Sequence, residues 1–342
     1  NAAGYLLGAL LAARLGRRFG LLPLVKAGTI ASIVSLALCA LTANFMLLSF
    51  ARALVGIGAA LSFVAGGALS AALAQRDPAR SGLLLSLFYT GPGLGIVVSG
   101  LVSPFLLDWY GPGSFWIVWL AVTALALVLS LPLLGLRISA DPSLPDPAAA
   151  AGRFAVGPVA RYLTGYLMFG MGYIAYMTFM IAYVRDAGGG PSAQSAFWTL
   201  IGLSAFASPW VWRAVIARTR GGGATAIIML CNATGAVLPL VDQGAIVLGL
   251  SALVFGVAFF AVVASTTAFI RVNYPQSEWP AAIGAMTIAF GIGQTFGPIG
   301  IGAISDATGT LSSALLASSA ILALGAALCG SQGRVSERLS SR

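Results

Sequence analysis

The chain has 342 residues, of which 59% are hydrophobic and only 8% charged. Soluble domains carry about 25% charged residues, so this composition cannot cover a water-facing surface and the bilayer is the expected solvent. The net charge of +9 comes from basic residues scattered in short clusters between apolar runs, a pattern of topology signals that argues against a nucleic-acid partner.

A membrane-spanning helix needs about 20 apolar residues. On that rule the sequence predicts eleven spans, at 1–15, 21–42, 46–74, 82–106, 114–136, 159–184, 194–216, 222–241, 244–270, 280–304 and 310–331. Between the fifth and sixth lies a polar stretch, 137–158, with Pro142, Pro145, Pro147 and Pro158. Each proline fixes φ and removes a backbone donor, so no long helix crosses it. The reading is an all-α membrane protein of two bundles. Residues 1–136 form the first, 137–158 a linker, 159–331 the second, and 332–342 a tail.

Alternate connections assign the basic residues to sides. One side receives Arg14, Arg17, Arg18, Lys26, Arg76, Arg80, Arg137, Arg153, Arg161, Arg213, Arg218, Arg220, Arg271, Arg334, Arg338 and Arg342. The other receives Arg185 alone. The basic side is therefore expected to be cytoplasmic, with the linker and the C-terminal tail on it.

A shift of 202 residues places Pro78 on Pro280, Gly82 on Gly284, Phe88 on Phe290, Gly91 on Gly293, Gly95 on Gly297 and Gly100 on Gly302. Arg18 falls on Arg220 and Gly20 on Gly222. Self-similarity at a fixed period marks repeat architecture. Both copies enter the membrane from the same side, as parallel repeats do. Five spans precede the linker and six follow it, so the expectation is six plus six, with one helix missing ahead of Asn1.

The absence of histidine removes His-based metal ligands, general bases and proton shuttles. Cys39, Cys231 and Cys329 all sit inside apolar runs and read as small buried residues. All nine acids fall in loops, at span ends or in the tail, so nothing supports a carboxylate proton relay. An intramembrane enzyme needs clustered nucleophiles, acids or metal ligands. Neither an enzyme nor a bound cofactor or metal is expected.

Four patterns are left as candidates. The first is Arg14, Gly16, Arg17 and Arg18, either a plain positive anchor or a latch to a neighbouring helix. The second is Arg52, six residues inside its span and so roughly 9 Å deep. It either snorkels to the surface or serves a polar cavity. The third is a pair of glycine-proline helices, with Gly91, Pro92 and Gly95 in one and Gly293, Gly297 and Pro298 in the other. Glycines four apart share a face that admits a neighbouring backbone. The pair is either static packing or a bending, sliding seam. The fourth is a stripe of Tyr162, Tyr166, Phe169, Tyr173, Tyr176, Met180 and Tyr183 at helical spacing. Tyr162 and Tyr183 read as interface-belt residues. Tyr166, Tyr173 and Tyr176 fit either a cavity wall or core packing. Tyr89, Asn232 and Gln294 are further polar side chains within spans.

These residues resemble the major facilitator superfamily over nearly the whole chain. Arg14, Gly16, Arg17 and Arg18 match its loop signature, Gly-x-x-x-Asp-Arg-x-Gly-Arg-Arg, although Ala13 stands where the family has Asp. Arg52 followed by Gly56 and Gly58 resembles its fourth-helix motif, and 284–298 its fifth-helix motif. The opening decapeptide and Phe88 through Gly95 resemble the YbfB/YjiJ-type branch. The resemblance implies a monomeric secondary transporter in a bacterial inner membrane, with a small organic solute as its partner and a coupling ion left open. Its bundles would rock around a midplane site. It nominates Arg52, Tyr166, Tyr173 and Tyr176 for the solute, to which Gln294 and Tyr89 are added as polar side chains within spans, and the glycine-proline motif favours export or exchange. Uptake of an organic anion held by Arg52 is the alternative within transport. A non-transporting receptor or scaffold is the alternative outside it.

Overall fold

The computed structural model describes residues 1–76, 81–137, 155–275 and 278–335. They form eleven α-helices: α1 Ala2–Phe19, α2 Leu21–Leu41, α3 Phe45–Arg76, α4 Ser81–Tyr110, α5 Phe115–Gly135, α6 Ala160–Asp186, α7 Pro191–Arg218, α8 Gly223–Val241, α9 Ala245–Asn273, α10 Trp279–Thr308 and α11 Leu311–Gly330. Ten of them are long and apolar enough to cross a membrane, and α1 carries a shorter apolar stretch, Ala2–Ala12. The predicted spans reappear in order. Seven of the helices outrun their predicted spans, because in lipid every backbone polar group must be satisfied within the segment, so helix continues past the apolar run. Arg17 and Arg18 accordingly occupy the last turn of α1, which ends at Gly20 with φ 90°. That angle is open to glycine and strained for other residues. The proposed linker falls mostly on 138–154, outside the described residues.

The described helices divide into two compact units. The first holds residues 1–88 and 102–149. In it the backbones of α1 and α3 nearly touch. A Cβ on Gly8 would lie 2.6 Å from the carbonyl oxygen of Ile57, and one on Gly28 of α2 would lie 2.5 Å from that of Gly58. Small residues permit this closeness, which is how helices gain van der Waals contact in lipid. Around the seam Ala12, Leu21, Leu22, Leu24, Val25, Leu61, Ala65 and Leu69 form the core. Helix α5 is held to α2 at one end by Lys26. Its Nζ donates to the carbonyls of Leu134 and Leu136 at 2.8 and 2.5 Å, meeting acceptors that a helix C-terminus leaves open.

The second unit holds residues 89–101 and 150–342. Helix α6 lies between α10 and α11, α8 packs on α9 and α11, and α7 on α9. Its core runs from Val159 and Tyr162 through Phe169, Tyr176, Phe255 and Phe259 to Leu322 and Cys329. Residues 89–101 of α4 join this unit on α7. There a Cβ on Gly93 would meet the carbonyl oxygen of Gly202 and the amide nitrogen of Phe206, each at 2.9 Å.

Candidate functional site

The tyrosine stripe of α6 divides into sealed and accessible positions. Tyr162 and Tyr183 are buried, which overturns their reading as interface-belt residues. The Tyr162 hydroxyl meets Thr225 Oγ1 at 2.7 Å and Thr266 Oγ1 at 3.0 Å. The Tyr183 hydroxyl donates to the Pro239 carbonyl at 2.9 Å and accepts from Gln243 Nε2 at 2.9 Å. Both phenols find partners on neighbouring helices, so neither needs the headgroup region. Tyr176 is also enclosed, with its hydroxyl 2.6 Å from Ser251 Oγ and its ring 3.9 Å from that of Phe255. Ser251 passes the chain on to the Gly235 carbonyl at 2.7 Å.

Tyr173 differs: it is half-buried and points to where α6, α9 and α10 meet. Its ring lies near-parallel to Phe169, Phe290 and Phe259, with centroids 5.0, 5.6 and 6.1 Å away. Phe290 also faces Tyr166 at 5.5 Å and Phe169 at 5.8 Å. Offset, near-parallel rings at these separations attract beyond simple burial. Tyr166 itself is 5% exposed and sits inside this ladder. Gln294 of α10 closes one side, its Nε2 donating to the Tyr173 hydroxyl at 2.6 Å. Gln294 Oε1 is buried and has no hydrogen-bond partner among the described residues.

The structure therefore brings Tyr166, Tyr173 and Gln294 together and sends Tyr176 into the bundle interior. Phe290 and Phe259 complete the cluster, Ser251 holds Tyr176 apart from it, and none of the three was a candidate in the sequence. The repeat pairing of Phe88 with Phe290 was the only signal for any of them. The side chain of Tyr89 lies outside the described residues.

The glycine motifs also part company. A Cβ on Gly293 would overlap the Leu167 carbonyl oxygen, one on Gly297 would lie 2.6 Å from that of Met171, and one on Gly170 would lie 2.5 Å from that of Phe290. Helices α6 and α10 thus meet backbone to backbone directly beside Tyr173 and Gln294. Pro298 continues α10 from this seam. At Gly91 and Gly95 a Cβ would meet no described residue within 4 Å, although Pro92 lies within continuous helix. In that stretch Gly93 makes the close approach that the spacing had assigned to its neighbours.

In the first unit the Arg52 guanidinium stands over the Trp119 ring of α5, 5.4 Å from its centroid. It is half-buried and paired with an aromatic face, a sound place for a cation in an apolar surround. Arg14, Arg17 and Arg18 are exposed, Gly16 is buried, and Arg18 lies 5.2 Å from the Phe19 ring centroid. Among the described residues no group of His, Cys, Asp and Glu could hold a metal ion.

The family model described as "Uncharacterised MFS-type transporter YbfB" matches residues 1–329. No curated protein sequence matches the chain. Among solved structures the chain is similar to the fucose:proton symporter FucP of E. coli. Identity is 15%, coverage is 96% of this chain and 88% of that one, and the TM-score is 0.60. It is also similar to the human organic anion transporter MFSD10, at 17% identity, 96% and 81% coverage, and a TM-score of 0.62. At these identities the likeness is one of fold.

Proposed function

The chain belongs to the YbfB-type family of major facilitator transporters, and from that premise we propose that it carries a small organic solute across the membrane by alternating access. The observation that carries this reading is the α6–α10 seam. Tyr173 and Gln294 place a polar pair within apolar spans, directly beside glycines where two backbones touch. A purely structural seam gains nothing from a buried amide with an unmatched oxygen, because such a group costs about 1–3 kcal/mol. A solute wall beside a seam that can slide gives both features a use.

We assign Tyr166, Tyr173 and Gln294 to the solute, with Tyr89 as a further candidate. Gly293, Gly297 and Pro298 serve as the moving seam, with Gly91, Pro92 and Gly95 as its repeat counterpart. Arg14, Gly16, Arg17 and Arg18 form a basic anchor on the cytoplasmic side of a bacterial inner membrane. The C-terminal tail shares that side, and residues 137–158 link two bundles of a monomer. Export or exchange is the favoured direction. Solute flux into vesicles containing the purified chain tests the reading. Flux should be saturable and fall at least tenfold in Gln294→Leu. Vesicles that retain flux in that variant would remove the wall from the mechanism.

The organic anion transported by the MFSD10 relative raises the rival in which Arg52 holds an anion. The guanidinium already rests on the Trp119 face, which gives Arg52 a stabilising role that needs no solute.

A further inference from the structure

The proposed wall has a definite chemistry, and the solute class it points to rests on the transporter reading. Helices α6, α9 and α10 keep every charge at their ends. Arg161 and Arg185–Asp186 flank α6, Arg271 lies in the last turn of α9, and Asp306 in the last turn of α10. Between those ends the described wall offers aromatic faces, tyrosine hydroxyls and one amide, and no charged group. Phe290 spans Tyr166, Phe169 and Tyr173 with centroids 5.5 to 5.8 Å away. The Gln294 amide spends a hydrogen on the Tyr173 hydroxyl and keeps its carbonyl without a donor. An aromatic face welcomes a flat apolar surface. An unmatched buried carbonyl welcomes an O–H or N–H. A charged solute would lose its hydration against this wall and find no opposite charge.

We propose that the solute is an uncharged ring compound bearing a hydroxyl or amide N–H at its edge. Its flat face packs on Tyr173 and Phe290, and its donor bonds to Gln294 Oε1, which is buried in this conformation and is reached when the α6–α10 seam slides. Gln294 and Tyr173 are then the residues that set specificity.

The test uses the purified chain in detergent and reads its thermal midpoint against three sets of probes. These are phenyl glycosides and nucleosides, substituted benzoates, and benzylammonium salts. The uncharged set should raise the midpoint in a concentration-dependent way, and the two charged sets should not. Gln294→Leu should weaken the uncharged probes about tenfold, the worth of one net hydrogen bond. Gln294→Glu should shift preference to the benzylammonium salts. Tyr173→Phe keeps the ring and should retain part of the affinity, which guards against a Gln294 variant that does not fold. The class is overturned if no uncharged probe binds, if the benzoates bind best, or if none of the three variants alters affinity. Flux into vesicles is read separately. Binding that depends on Gln294 without any flux sinks the transport reading alone. Flux of a benzoate that depends on Arg52 sinks the solute class alone.

Discussion

The carbonyl oxygen of Met171 lies 2.6 Å from where a Cβ on Gly297 would stand. Helices α6 and α10 are therefore as close as backbones allow, and even one methyl group must push them apart. The repeat counterpart Gly95 has no described residue within 4 Å of the same position. Alanine in mid-helix is favoured over glycine by about 1 kcal/mol, whereas forcing a methyl group into a closed seam costs about 1–3 kcal/mol. In this chain Gly297→Ala should lower the thermal midpoint in detergent, and Gly95→Ala should leave it unchanged or raise it. Equal behaviour of the two would mean that the α6–α10 seam is looser than the structure has it.

The same pair shows what could be read in advance. Composition and apolar run length predict the fold class and the eleven helices, because lipid leaves a helical chain few alternatives. The Gly-x-x-x-Gly spacing identifies a face of the helix. It carries no information about what meets that face, so Gly293–Gly297 and Gly91–Gly95 looked alike. The tyrosine stripe had the same defect. Period alone put Tyr162, Tyr173, Tyr176 and Tyr183 on one line. Their environments depend on Thr225, Ser251, Pro239 and Gln294, which arrive from helices far along the chain. Only Tyr173 of these four is left half-buried.

Arg52 offers a test that separates structure from selectivity. Its guanidinium over Trp119 is worth about 0.5–2 kcal/mol, depending on how dry the site is. Trp119→Leu should destabilise the chain by at least that amount, since the packing of the ring goes with it, and Arg52→Ala in the same background should add little. A double-mutant cycle on the unfolding midpoint measures the coupling. Arg52→Ala should also leave the ranking of uncharged probes unaltered. A coupling near zero would free Arg52 for an anionic solute and reinstate the rival reading.

The end of the second unit is tied by two side-chain amides, those of Asn273 and Gln332. Asn273 Nδ2 donates to the carbonyls of Arg220 and Phe269 at 2.8 and 2.9 Å, and its Oδ1 accepts from the Val335 amide at 2.9 Å. Gly222 donates to the Gln332 carbonyl at 2.9 Å, and Gln332 reaches the Pro158 carbonyl at 3.0 Å. Residues 332–335 are thus docked, with Asn273 as their anchor. Asn273→Ala should cost about 1–3 kcal/mol, since it strands buried backbone groups. Hydrogen exchange should report the loss locally. Protection at Val335 should fall at least tenfold while the amides around Tyr176 keep theirs. Uniform loss across the bundle would show that Asn273 supports the whole unit and not this segment.

Tyr274, just beyond α9, gives a dependence on pH with a definite sign. Burial, and secondarily the Glu278 carboxylate, push its phenol from the ordinary 10.0 up to about 12. Between those values the folded chain keeps a proton that the unfolded chain has released. Stability must fall as pH rises wherever the folded state binds more protons. The contribution is whole below pH 10.0, declines across the interval, and is gone above about 12. Tyr274→Phe has no proton to lose, so its thermal midpoint should decline less steeply over that window than the parent's. The comparison cancels every group that the two chains share. Glu278→Gln removes the smaller cause and should flatten the decline only partly. Parallel midpoint curves for parent and Tyr274→Phe would place the Tyr274 hydroxyl in water, contrary to its 8% exposure.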